Sequence, residues 1–284
     1  MSRFLDAMRD ELTRLGDKGV FSLAEWHDGK IEDVSIIKTN PCQNVYSVAK
    51  AYVVTAIGLL VDRGLLSLDE TVTEIFADEL PRGCKPVWHD TTVDMLLLHR
   101  VGLPGGFLDI DCYDSRNFGE DFLAYTLTYP TPEDYTPEKS TYTDAAFYIL
   151  SRIVEKRAGE PLDLLLWREL LFPTGCLEAA FSRCPKGHPI GATGLYVRAA
   201  ELVKLGSIYL NGGKYGNKRI LSEEWVSTVL SRGYELKPRC GGRAFGKGGM
   251  RGQMLLILPE QNRVVAWQGY GSADIIPAAI NYKD

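Results

Sequence analysis

Apolar and polar positions along this chain fall into blocks whose periods change. In MSRFLDAMRDELTRLG, residues Phe4, Leu5, Met8, Leu12 and Leu15 recur at helical spacing between charges, which predicts an amphipathic helix closed by Gly16. GVFSLAEW and DVSIIKT flank the turn HDGK and predict a hairpin around Asp28-Gly29. From Ser47 to about Arg63 nearly the whole circumference is apolar. That segment reads as a helix buried on all sides, capped by Gly64.

From about residue 65 to 190 the pattern is helical and loop-rich. TTVDMLLLH predicts a short helix opened by a threonine cap, and YTDAAFYILSRIVEKRAG a long one closed by Gly159. PLDLLLWRELLF predicts another, with Pro161 in its first turn. RAAELVKLGSIYLNGG and SEEWVSTVLSRG are amphipathic helices ending in glycines. GMRGQMLLILP and RVVAWQGYG then predict a second hairpin, followed by a helix from about Ile275 to Ile280.

Strands at both ends with helices between them predict an α/β chain of the α+β type. Its antiparallel sheet is built from both chain ends and flanked by helices, with a mostly helical region inserted. The expected division is 1–46 and 191–284 for the sheet region and 47–190 for the helical one, with a catalytic site at their interface.

Composition narrows the function. Of 284 residues, 45% are apolar and 24% charged, and the net charge is −5, which argues against nucleic acid or an anionic membrane as partner. No stretch reaches the roughly 20 apolar residues of a membrane span. The first helix lacks the apolar core and cleavage site of a signal peptide, so a cytoplasmic location is expected. Six scattered cysteines form no CxxC pair and are expected to be reduced and mostly buried. His27, His89, His99 and His188 form no metal-binding cluster, so no metal is expected. GxSxG and GxxxxGK[ST] are both absent.

The chemistry-bearing stretch is YSVAK, where Ser47 and Lys50 stand three apart and share a helix face. A serine hydroxyl needs a neighbouring base, and burial near a helix N-terminus lowers the pKa of a lysine enough to make it one. Roughly one SxxK arises by chance in a chain this long. Ser35-Ile-Ile-Lys38 is such a decoy, in a predicted strand where positions three apart face opposite sides. Ser47 as a helix cap, with Lys50 reaching solvent, is the plain alternative.

Context favours chemistry. YSVAKAYVVTAIGLLVDRGLLSLDETV and TTVDMLLLHRVGLPGG resemble the serine β-lactamase and penicillin-binding-protein superfamily, especially its class C and esterase-like branch. The likeness rests on the turn Gly64 to Asp69 and on Leu97 to Leu103. It continues in YTPEKSTYTDAAFYILSRIVEKRAGEPL at the place of a Tyr-x-Asn motif, and in GATGLYVRAAELVKLGSIYLNGGKYGNKRILSEEW. FGKGGMRGQ stands where the family has Lys-Thr-Gly or His-x-Gly.

The resemblance implies a β-lactamase/transpeptidase-like fold, no metal and no organic cofactor. By it Ser47 is the acylated nucleophile, Lys50 its proton acceptor and Tyr142 a second general acid/base, and Lys247 supplies positive charge. The backbone N–H groups of Ser47 and Met250 form the oxyanion hole, and Gly248 and Gly249 leave room for a substrate to approach.

Two departures stand out. Asp144 replaces the asparagine of the second motif. Beside Lys50 it would hold that lysine protonated and shift the burden to Tyr142, or Lys247 would share its charge and leave Lys50 free. The third motif is Lys-Gly-Gly, without the hydroxyl that helps hold a substrate carboxylate; either Arg251 compensates or the substrate carries no carboxylate there.

The expected substrate is a small-molecule ester or amide, ahead of a β-lactam and of a D-alanyl peptide. A non-hydrolytic penicillin-binding sensor is the alternative from another class. His99 is expected to be structural and Glu178 solvated. Tyr125, Tyr129 and Tyr135 either line a pocket or pack a proline-rich loop, and Cys42 reads as a small buried hydrophobe.

Overall fold

Capping chemistry sets where the elements begin. Ser2 accepts the N–H of Leu5 to open the first helix, and Thr92, Thr143 and Ser222 do the same for later ones. The computed structural model describes residues 1–176, 178–271 and 274–283. In chain order it has α1 (Arg3–Arg14), β1 (Val20–His27), β2 (Lys30–Ser35), β3 (Gln43–Asn44), α2 (Ala49–Asp62), α3 (Val72–Ile75) and α4 (Val93–Leu97). Then come α5 (Phe122–Thr128), α6 (Asp144–Ala158), α7 (Leu162–Leu166), β4 (Ala180–Phe181), β5 (Leu195–Val197) and α8 (Ala199–Leu210). The last are β6 (Lys214–Tyr215), β7 (Lys218–Arg219), α9 (Glu223–Arg232), β8 (Lys237–Arg239), β9 (Ala244–Gly249), β10 (Gln253–Leu258), β11 (Arg263–Gly269) and α10 (Ile276–Asn281).

The chain divides into two compact units, Met1–Ala51 with Glu169–Ala180 and Leu195–Asp284, and Tyr52–Arg168 with Phe181–Gly194. The first holds a six-stranded sheet in the order β2-β1-β11-β10-β9-β8, with every pair antiparallel. Strands from the two chain ends meet where β1 pairs with β11.

One sheet face is covered by α1 and α10, where Phe4, Leu5, Met8 and Leu12 pack against Leu23, Val265 and Trp267. Each such buried side chain contributes about 1.5–3 kcal/mol. Leu15 departs from its expected place on this face: the helix stops at Arg14, and Leu15, at the cap, is 41% exposed. On the other face α8 lies so close that a Cβ on Gly206 would stand 2.4 Å from Val264 Cγ1. Beneath α1 a buried ion pair joins Arg263 to Glu25, with the guanidinium 4.5 Å over the Phe4 ring.

Two strands of the six-stranded sheet went unforeseen, as did the short strands β3 to β7. β8 and β9 extend the sheet beyond β10, and β9 carries AFGKGG, a stretch of low β-propensity held by pairing on both sides. The strand expected from Gly249 onward begins at Gln253, after a tight turn over Met250–Gly252.

The second unit is built on α6, in which every residue from Asp144 to Val154 is buried. A Cβ on Gly191 would meet Ser151, Phe147 and Val53, so this glycine lets the loop press between α2 and α6. Pro161 stands just before the first turn of α7 as its cap residue, and that helix gives way after Leu166 to a π turn over Trp167–Leu171. Among the described residues no helix is long and apolar enough to cross a membrane.

Candidate active site

The approach to Ser47 is fixed before the residue itself. β3 pairs antiparallel with β5, and Val45 N–H donates to Leu195 O at 2.8 Å. β5 is tied in turn to the main sheet, since Gln268 Nε2 donates to Val197 O at 2.8 Å. Asn44 Oδ1 then accepts the N–H of Tyr46 at 2.9 Å, and Tyr46 takes up φ 47°, a left-handed backbone unusual for a bulky residue. The chain enters a 3₁₀ turn, Tyr46–Val48, which runs directly into α2.

Three apart on this turn, Ser47 and Lys50 meet: Lys50 Nζ donates to Ser47 Oγ at 3.1 Å. Lys50 is fully buried, in a segment where every residue from Val48 to Leu60 is buried. The solvated-lysine alternative is therefore out. The decoy differs. β2 ends at Ser35, an exposed residue whose Oγ donates to Ile37 O at 3.1 Å, and residues 36–38 lie beyond the strand.

In the same unit β9 brings Lys247, Gly248 and Gly249, and the turn after it brings Met250 and Arg251. A Cβ on Gly249 would stand 2.4 Å from Val45 O, so the end of β9 lies directly against the segment leading to Ser47. Gly248 has a different standing. A Cβ there would meet only ordinary contacts, 3.4 Å to Met254 Cε.

Lys247 forms an ion pair with Glu235, a buried residue just before β8. Sequence reasoning missed Glu235. Its one signal is a carboxylate between Tyr234 and Leu236, both buried, ahead of a strand.

Arg251 also has aromatic company. Its guanidinium carbon lies 5.0 Å from the centre of the Tyr270 ring, and Arg251 and Tyr270 both neighbour the Tyr46 phenol. Burial, and then Tyr270, push the Tyr46 phenol up, with Arg251 pulling the other way.

The second unit holds Tyr142 and Asp144. Tyr142 is 42% exposed, its ring 4.5 Å from that of His99. His99 is buried, accepts the Thr143 N–H at Nδ1 (3.3 Å) and lies 5.1 Å from the Phe147 ring, a structural role that orients Tyr142. Asp144 is buried at the first turn of α6, where a carboxylate suits the helix dipole. One of its oxygens, one of Asp109 and one of Asp111 lie within 4.8 Å of one another. The Thr193 hydroxyl bonds Asp111, and the N–H groups of Asp111 and Cys112 bond Asp109, so this acidic cluster is engaged from within the chain.

Other expectations need correction. Only Cys176 and Cys184 of the six free thiols are buried. Cys42 is half-buried with Sγ 3.4 Å from Glu178 Oε2, whereas Glu178 is exposed, as expected, and bound by the guanidinium of Arg198. Tyr125 and Tyr129 pack on Phe107 at 5.4 and 4.5 Å, whereas Tyr135 lines a cavity of about 290 Å³ with Leu103, Pro132 and Lys139.

Comparison with known proteins places this geometry. The chain is 25% identical over 203 residues to the 6-aminohexanoate-dimer hydrolase of Paenarthrobacter ureafaciens, covering 66% of this chain and 50% of that protein. It is 27% identical over 183 residues to the N-acetylmuramyl-L-alanine amidase of Bacillus subtilis (strain 168), covering 61% and 41%. The chain thus spans about half the length of the curated relatives it matches. Among solved structures, a family VIII carboxylesterase superposes with a TM-score of 0.74 at 15% identity, over 98% of this chain and 96% of that one, and shares the fold. The family model described as Beta-lactamase matches residues 22–268, and the chain belongs to the beta-lactamase family.

Proposed function

We propose that this protein is a serine hydrolase that cleaves a small ester or amide through an acyl-enzyme on Ser47. The observation that carries the reading is the 3.1 Å approach of Lys50 Nζ to Ser47 Oγ, with the lysine wholly out of solvent. A buried ammonium gives up its proton more readily than a solvated one, and the neutral amine then accepts the serine proton.

In this reading Ser47 Oγ attacks the substrate carbonyl carbon as Lys50 takes its proton. The carbonyl oxygen gains the negative charge, and the N–H groups of Ser47 and Met250 receive it. When the tetrahedral intermediate collapses, the bond to the leaving group breaks. That group departs with a proton delivered by Tyr142, the second general acid/base. Water then attacks the Ser47 ester, its proton drawn off by the same groups, and the acid product leaves as Ser47 regains its hydrogen. Asp144 bears on these proton affinities as an acceptor beside Tyr142 in sequence, Lys247 supplies positive charge, and Gly248, Gly249 and Arg251 bind substrate. The names of the relatives, an amidase, a dimer hydrolase and a carboxylesterase, support ester or amide cleavage.

Multiple turnover of a chromogenic ester tests it. The reading expects turnover to vanish in Ser47→Ala and persist in Ser35→Ala; wild-type turnover in Ser47→Ala would end it.

A further inference from the structure

Gln253 is a polar residue at a place where the sheet has no evident need of one. It opens β10 and is 2% exposed. Its Nε2 donates to Gly269 O, at the end of β11, at 2.6 Å. Its Oε1 is buried and, among the described residues, has no hydrogen-bond partner. An orphaned amide oxygen is a cost that an unbranched apolar side chain of the same length avoids. Stability alone therefore does not account for a glutamine here.

Its neighbours supply the other reason. Gln253 pairs with Gly249 across the β9–β10 ladder. A Cβ on Gly249 would stand 3.0 Å from Gln253 Cβ, 3.3 Å from its Cγ and 2.4 Å from Val45 O. The end of β9 is thus held between the stem of Gln253 and the segment that leads into Ser47. Gly269, which Gln253 grips, is itself fixed. A Cβ there would stand 2.4 Å from Gly19 O, and the Tyr270 N–H donates to that same oxygen at 2.7 Å. A second tie, from the Gly271 N–H to Arg251 O at 2.7 Å, joins the chain just after β11 to the turn Met250–Gly252. In that turn Arg251 takes φ 60°, a left-handed backbone that persists only where the surroundings enforce it.

We propose that Gln253 is a positioning residue of the hydrolase, whose amide clamps the turn after β9 to β11 and so sets the spacing of the Met250 and Ser47 N–H groups. The inference rests on the hydrolase reading above, in which those two groups receive the charge of the carbonyl oxygen. Gln253 is buried and acts through the backbone, not on the substrate. Charge grows on that oxygen only on the way to the tetrahedral intermediate, so a slackened clamp costs rate and leaves ground-state binding alone.

Gln253→Met tests it on a chromogenic ester, with Gln253→Glu alongside. Methionine keeps the length and removes both the donor and the orphaned acceptor. Its melting midpoint is expected to stay within about 4 °C of wild type. Its kcat and kcat/KM should fall together by about 10- to 100-fold, with KM held within about twofold. In Gln253→Glu an ionised carboxylate faces Gly269 O with no proton to give, and protonation restores the donor. Its kcat relative to wild type is expected to rise about tenfold between about pH 8 and about pH 5.5, since burial raises the pKa of a carboxyl. Wild-type kcat in folded Gln253→Met, or a change confined to KM, overturns the inference, as does a glutamate ratio flat with pH. If methionine prevents folding, the glutamate ratio alone decides. Through all of these Ser47-dependent turnover leaves the hydrolase reading standing, whereas turnover that survives Ser47→Ala removes both.

Discussion

The ammonium of Lys247, on β9, is paired with the carboxylate of Glu235, twelve residues earlier, and both groups are buried. Taking two charges out of water is tolerable only while each has the other. Glu235→Ala is therefore expected to lower unfolding stability by about 3–5 kcal/mol, because it strands the lysine charge. Chemical denaturation at neutral pH measures it. A loss below about 1 kcal/mol, as for a solvated pair, would contradict the pairing.

Lys50 offers a cleaner separation of stability from chemistry. Lys50→Met keeps an unbranched chain in the apolar segment and removes only the amine. The folded state should survive, while kcat for the best ester falls about 10²–10⁴-fold with little change in KM, the range for loss of a general base. Steady-state kinetics beside a thermal melt checks both halves.

Adjacent glycines in β9 should respond unequally to the same change. Gly249→Ala drives a methyl into Val45 O, backbone against backbone, and is expected to cost about 1–3 kcal/mol. Gly248→Ala meets only Met254 Cε at ordinary contact distance and should stay within about 0.5 kcal/mol. Paired unfolding curves decide.

Much of this was legible beforehand, and the reasons are local. Ser47 and Lys50 lie within one turn, so their spacing allowed their polar atoms to meet, and the surrounding motifs favoured that over a solvated lysine. Gly159 closed α6 and a threonine opened α4 by capping chemistry, and Asp28-Gly29 marked the β1–β2 turn. What escaped depends on distant partners. β9 is a strand because β8 and β10 hold it, not because Gly-Lys-Gly-Gly prefers to be one. Glu235 faces Lys247 across a strand connection that leaves no periodic mark. Nor does the left-handed turn at Tyr46 have a sequence signature, since tyrosine adopts it only under constraint.

Stability should also depend on pH through Asp121. Burial pushes this carboxyl up, but the Ala124 N–H at 2.9 Å and the Lys186 ammonium outweigh it, so the net displacement is below the usual aspartate range. A lowered folded pKa adds stability above the unfolded value of about 3.9, and this is lost as pH falls through the folded pKa. Asp121→Ala, which also removes the cap of α5, should cost about 0.5–2 kcal/mol at pH 7. The cost should shrink near pH 2. A cost that grows on acidification would reverse the sign of the argument.

The most direct test of the central claim is intact mass during turnover of an activated ester, quenched at short times, with peptide mapping and Ser47→Ala alongside. The account predicts a mass gain equal to the acyl group, located on the peptide containing Ser47 and absent from the variant. Turnover without that adduct, or an acyl group on any other residue, would contradict it.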